Sequence, residues 1–136
     1  MITKTEIKQL VFDVVGAAIE VHKHLGPGLL ESIYHKCMIK ELSLRGISFQ
    51  SELTIPLEYK GLQLESDLRC DLFIDKILVL ELKACEKINP VEVSKLLSYM
   101  HQLNAPIGLI INFNVTNIYN EGQKSYVNEL YRQIKL

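Results

Sequence analysis

The segment Ile77 to Ala84, ILVLELKA, constrains this chain more than any other. Only Glu81 and Lys83 interrupt an otherwise aliphatic run. A short run this apolar reads as a strand covered on both faces, and so as the centre of a sheet with layers on either side. Strand residues two apart share a face, so Glu81 and Lys83 project together, opposite Leu80 and Leu82. Charge in such surroundings must be paired, liganded or functional. The plain alternative is an ion pair at a strand end, or a pair facing solvent at a sheet edge.

The rest of the chain supplies those layers. Ile7, Leu10, Val11, Val14, Ala18, Val21 and Leu25 recur at spacings of three and four, which predicts a helix from about Thr5 to His24. Thr3 or Thr5 is placed to cap it, and Gly26-Pro27-Gly28 ends it. A second helix is expected from about Leu29 to Arg45, with Leu30, Ile33, Tyr34, Cys37 and Leu42 as its buried stripe. The period then changes to two. Phe49 to Tyr59 reads as one strand, Gln63 to Ile74 as a second with an irregularity near Glu65 to Asp67, and Ile77 to Ala84 as a third. Asn89-Pro90 opens a third helix, whose apolar stripe is Val93, Leu96, Leu97, Met100 and Leu103. Ile107 to Phe113 is a fourth strand. The tail suggests a short helix or turn near Thr116 to Asn120, an extended piece from Gln123 to Val127 and a last helical turn. A helical link between the third and fourth strands demands a parallel, right-handed crossover. The expected fold is therefore α/β, with helices flanking a mixed sheet of four or more strands, in one domain spanning residues 1–136.

Fifteen Lys and Arg against sixteen Asp and Glu leave a formal charge of −1, so bulk charge does not advertise a polyanion partner, although it leaves a local basic groove open. Cys37, Cys70 and Cys85 are odd in number and form no CxxC motif, which reads as free thiols in a reducing compartment. A zinc site recruiting His22 and His24 is the alternative, but no second ligand pair follows them. Glu6, Asp13 and Glu20 break the apolar N-terminal stretch, unlike the core of a signal peptide, and no run approaches the ~20 apolar residues of a membrane span. The expected location is the cytoplasm, with no membrane partner.

Asp71 adds weight to a functional reading of the third strand. It lies on the preceding strand, ten residues before Glu81. A two-residue turn at Asp75-Lys76 would pair Asp71 with Leu80 and send the two acids to opposite faces. A three-residue loop or a bulge would pair Asp71 with Glu81 on one face, and that is the arrangement expected of a real site. Two carboxylates converging beside one lysine suit a hard cation, Mg²⁺ or Mn²⁺, that keeps some of its waters.

The segment Gly28-Leu29-Leu30-Glu31-Ser32-Ile33-Tyr34 matches the pattern GxxExxY. With Asp71, the Glu81-Leu82-Lys83 triplet and the later INF segment, the chain resembles the GxxExxY protein family of the PD-(D/E)xK nuclease superfamily. The resemblance runs from about Ile7 to Val127. It implies a restriction-endonuclease-like core and metal-dependent cleavage of nucleic acid, DNA more than RNA. It implies Asp71 and Glu81 as metal ligands with the Leu82 carbonyl, and Glu31 as a helix carboxylate that holds the metal directly or through water. Lys83 would orient or help deprotonate the attacking water, with burial and a neighbouring cation lowering its pKa.

Related nucleases often carry QxxxY on the helix that follows. Here Lys95 stands at the Gln position, four residues before Tyr99, and Gln102 lies two turns further on. Glu92, Lys95, Tyr99 and Gln102 form a second stripe beside the apolar one. Lys95 and Arg69 are candidate phosphate contacts, Arg69 alternatively neutralising Asp71 or forming a structural ion pair. Tyr34, one turn from Glu31, either orients that carboxylate or is simply a core aromatic, and Tyr99 is either the tyrosine of the QxxxY motif or a partly buried core aromatic. His22 and His35 are read as structural. The opposing functional hypothesis is a non-catalytic module that keeps the fold to bind nucleic acid or protein. A homodimer or a protein partner fits either case.

Overall fold

Thr3 starts the first helix through a capping box, in which its hydroxyl accepts from the Glu6 N–H while the Glu6 carboxylate accepts from the Thr3 N–H. Helix α1 runs Lys4–Leu25 in the computed structural model, which describes residues 1–136. It stops at Gly26, whose φ of 68° lies in the left-handed region. Helix α2, Glu31–Leu44, buries Tyr34, Met38 and Leu42 at intervals of four. The stripe expected through Leu30 and Ile33 is not the buried one. Leu30 precedes the helix and is 71% exposed, because the phase set by the GPG turn sends it outward.

The single strand expected from Phe49 to Tyr59 divides into β1 (Phe49–Thr54) and β2 (Leu57–Tyr59). Pro56, which has no N–H to donate to a ladder, lies in the gap. The second expected strand divides likewise, into β3 (Leu62–Leu64) and β4 (Arg69–Ile74), at the irregularity near residues 65–68. β2 and β3 form a separate two-stranded hairpin. Strand β5 (Leu78–Lys83), helix α3 (Pro90–Gln102), strand β6 (Ile107–Asn112), a single π-helical turn (Ile118–Gly122), strand β7 (Gln123–Val127) and the short helix α4 (Glu129–Arg132) follow. The main sheet has five strands in the order β1-β4-β5-β6-β7. Every pairing is antiparallel except β5 with β6, which α3 connects as a parallel crossover. This is the mixed α/β sheet, flanked by helices, that the sequence predicts.

β5 is central and buried on both faces. Leu78, Leu80 and Leu82 join the larger core with α1 and α2, while Val79 belongs to a second core under α3. The contact with α3 requires Gly108. A Cβ there would lie 2.6 Å from Met100 Sδ and 2.9 Å from Leu96, so no larger residue lets α3 come this close to β6.

Candidate functional site

Asp75, Lys76 and Ile77 connect β4 to β5, since Ile74 pairs with Leu78. Asp75 and Lys76 both take positive φ, 53° and 56°, in a tight turn that the Ile77 N–H closes on the Ile74 carbonyl at 2.9 Å, and Ile77 is the extra residue before pairing resumes at Leu78. The parity is thus the one that puts Asp71 and Glu81 on one face. Regular pairing ends at Leu72–Leu80, one step short of the acids. Beyond it the carboxylates occupy the ladder. The Asp71 N–H donates to Glu81 Oε2 at 2.8 Å, and the Leu82 N–H donates to Asp71 Oδ2 at 2.7 Å. The carbonyl and N–H of one strand residue share a side, so the Leu82 carbonyl also faces the gap where β4 has stopped pairing.

Glu81 is a buried acid, 5% exposed. Burial raises its pKa first and the Asp71 charge raises it further, to about 8, against the hydrogen bond from Asp71 N–H and the attraction of Lys83. Burial also raises Asp71, with the Leu82 N–H and the His35 and Lys83 charges opposing. The two acids are close enough to titrate as a pair. Burial lifts the adjacent Cys70 thiol to about 12, with Glu81 and Asp71 adding to the effect, so this cysteine stays protonated.

Lys83 departs from expectation. Its ammonium lies 2.8 Å from Glu92 Oε2, in the first turn of α3. Burial alone would lower its pKa, but contact with Glu92 and the charges of Glu92, Glu31 and Glu81 outweigh that and hold it above the usual lysine value. Contact with Lys83 in turn lowers the Glu92 carboxyl. Lys95 joins the same oxygen at 3.6 Å. Glu92 was visible only as part of a polar stripe. Its place beside Lys83 depends on how α3 returns over β5, which spacing along the chain does not reveal.

Glu31 opens α2, where an acid is favoured by the helix dipole. Burial raises its carboxyl, Lys83 opposes, and Asp71 and Glu92 raise it further, so these three acids share one electrostatic environment. Tyr34 does not bond Glu31. Its hydroxyl donates to the Gly26 carbonyl at 2.6 Å and accepts from the Leu29 N–H at 3.2 Å, while its ring stacks on Phe113 at 4.4 Å. It therefore holds the GPG loop that leads into Glu31. Arg69 pairs with Glu52 at 3.7 Å and not with Asp71, and both partners are exposed. Tyr99 is buried in the core under α3, and burial, then Glu81 and Glu92, raise its phenol. Gln102 stands at the last position of α3, beyond Tyr99. His35 bonds Ser51 Oγ at 3.0 Å and lies within Coulombic range of Glu31 and Asp71, closer to the acids than a purely structural residue need be. His22 and His24 use ring nitrogens on the carbonyls of Val115 and Glu20, at 2.8 and 3.0 Å.

The donor set suits a hard cation. Asp71 and Glu81 each use one oxygen on a backbone N–H, leaving Asp71 Oδ1 and Glu81 Oε1 without a hydrogen bond. Their mutual repulsion is what a divalent ion would relieve. No group of three His, Cys, Asp or Glu side chains is placed to hold a metal ion, so Glu31 is not brought together with Asp71 and Glu81 as a three-carboxylate ligand set. A cavity of about 700 Å³ lies away from the acids, between Pro90 and Val93 of α3 and Lys124 and Tyr126 of β7.

A family model described as the PD-(D/E)XK nuclease superfamily matches residues 8–125. No curated protein and no solved structure matches the chain. No helix is long and apolar enough to cross a membrane.

Proposed function

The chain belongs to the PD-(D/E)XK nuclease superfamily, and from that premise we propose that it hydrolyses phosphodiester bonds of nucleic acid with a divalent metal ion, DNA ahead of RNA. The observation that carries this reading is the paired, buried carboxylates of Asp71 and Glu81 at the point where β4 and β5 stop pairing. Asp71, Glu81 and the Leu82 carbonyl would hold Mg²⁺ or Mn²⁺, with Glu31 reaching it directly or through water. A divalent ion held there would lower the pKa of a bound water toward neutrality and offset charge on the phosphoryl group. The backbone N–H groups of Asp71 and Leu82 fix the two carboxylates in place. Lys83 would orient or help deprotonate the attacking water and offset negative charge on the phosphoryl oxygens. Lys95 offers a second cation to the nucleic-acid backbone, and Arg69, exposed at the edge of the site, a third. Tyr34 supports Glu31 through the loop, and Tyr99 walls the site from α3. The GxxExxY subfamily, a cytoplasmic location and a homodimer or protein partner complete the proposal.

The test is calorimetry with Mn²⁺, wild type against Asp71→Ala, because binding needs no knowledge of the substrate. Saturable binding that the variant loses supports the site. No binding at millimolar metal sinks the metal-dependent reading and favours the alternative, a nucleic-acid- or protein-binding module that keeps the fold.

A further inference from the structure

Helix α3 does not lie evenly along β6. Its C-terminal half is drawn onto Gly108, where Leu96 and Met100 pack against bare backbone. Its first turn leaves room above the far end of the strand, and that room is the cavity of about 700 Å³. Such a volume belongs to a ligand site rather than to a packing defect. Ile88, Pro90, Val93 and Ile110 give it apolar walls, and Tyr126 gives it an aromatic one. The π-helical turn Ile118–Gly122 forms part of its rim, and distortions of that kind recur at functional positions.

The lining carries one acid, Glu121, and one base, Lys124, so it is neutral on balance and offers no seat for a phosphate. Its other polar side chains are the Tyr126 phenol and the amides of Asn112, Asn120 and Gln123. Asn112 is spent on the loop after β5, accepting from the Cys85 N–H at 3.2 Å and donating to the Cys85 carbonyl at 2.8 Å. Gln123 donates to the Tyr119 carbonyl at 3.3 Å. Asn120 differs. Its backbone N–H is anchored on Asn117 Oδ1 at 2.9 Å, while its own amide enters no hydrogen bond. A neutral cavity with apolar walls, an aromatic side and a free amide suits a flat heterocycle with donors and acceptors along its edge.

The register ties this cavity to the acids. Ile110 stands opposite Glu81, Asn112 opposite Lys83, and Lys124 opposite Ile110. The cavity therefore opens on the face of the sheet that carries Glu81 and Lys83, one to two strand spacings away, or about 5–10 Å. The first turn of α3 divides the two places, with Glu92 against Lys83 and Pro90 and Val93 against the cavity.

We propose that this cavity binds a nucleobase of the substrate, from a nucleotide adjoining the one that is cleaved and turned out of its stack. The inference rests on the nuclease reading and narrows its substrate class to nucleic acid with an unpaired base beside the scissile phosphate. The base lies between Tyr126 and the apolar side chains of Ile88 and Val93, and Asn120 reads its edge. Turning a base out costs least in a single strand or at a mismatch, so those substrates are favoured.

The experiment compares two single strands, hexadeoxyadenylate and an abasic hexamer with the same phosphates, titrated into the metal-free chain in EDTA at fixed ionic strength. Calorimetry gives affinity, and isoleucine methyl resonances locate the contact. The base-bearing strand should bind about tenfold tighter than the abasic one, with shifts at Ile88 and Ile110. Val93→Phe, which fills the cavity, and Asn120→Ala, which removes an amide from an exposed turn, should each shrink that difference. Equal affinity for the two strands overturns the proposal. So does a difference that survives both variants, or one whose methyl shifts avoid Ile88 and Ile110. If Val93→Phe does not fold, Asn120→Ala decides alone. A chain that binds no Mn²⁺ yet keeps the base-dependent affinity loses the nuclease reading and keeps the base site. One that binds Mn²⁺ and treats the two strands alike loses the base site only.

Discussion

Glu81→Gln should stabilise the metal-free protein above neutral pH while abolishing its metal site. The folded chain holds Glu81 protonated up to about 8, whereas its ordinary value is 4.5. Between those limits the folded state binds more protons than the unfolded state, so wild-type stability falls as pH rises from about 4.5 to about 8. At about 1.4 kcal/mol per pH unit, that interval sets a ceiling of about 5 kcal/mol on the loss. Asp71 shares the proton, so the loss belongs to the pair. Gln keeps an oxygen that accepts from the Asp71 N–H, so the substitution removes the charge without orphaning the donor. The assay is urea unfolding in EDTA at constant ionic strength, from pH 5 to 9, wild type beside variant. The two curves should be close near pH 5 and diverge by a few kcal/mol by pH 8, within that ceiling. Mn²⁺ should restore the wild type at pH 8 and leave the variant unmoved. A wild-type curve that stays flat or rises relative to the variant between pH 5 and 8 would refute the argument that these carboxylates repel each other in a buried site.

Two further substitutions probe the support of the site. Tyr34→Phe removes the hydroxyl that joins the Gly26 carbonyl and the Leu29 N–H. It should cost about 1–3 kcal/mol in urea unfolding; a variant as stable as wild type would show that the loop satisfies those groups elsewhere. Gly108→Ala places a Cβ against Met100 and Leu96. It should destabilise by about 1–3 kcal/mol, read as a lower unfolding midpoint, and an unchanged midpoint would mean that α3 is free to shift away from β6.

Local chemistry was legible along the chain. The cap at Asn89, the choice of Thr3 or Thr5 for the first cap, the stop at Gly26, the change of period near Phe49 and the doubly buried strand around Leu80 all act within a few residues. Periodicity and capping report such short-range preferences directly. The crossover through α3 followed from the same order of elements. The broken strands at Pro56 and near residues 65–68 were half visible, since a proline within an alternating run marks an interruption but not where the chain goes next.

The candidate site divides in the same way. Asp71, Glu81, Lys83 and Glu31 are recognisable in the sequence by residue type and order. Whether Asp71 and Glu81 meet depended on a single residue in the loop between them, and the extra residue Ile77, which leaves Ile74 paired with Leu78, settled it. Tyr34 was placed near Glu31 by helical spacing, yet its hydroxyl turns back to Gly26 because the loop before α2 folds under it. The state of Lys83 was beyond the sequence altogether. Burial is the largest single influence on it, and only the contact with Glu92, from a helix laid across the sheet, together with the charges of Glu92, Glu31 and Glu81, outweighs that burial. Sequence by itself determined which groups were available and which elements carried them. Only the tertiary structure decided which charges face one another, because Coulomb energy depends on distance in space and not on separation along the chain.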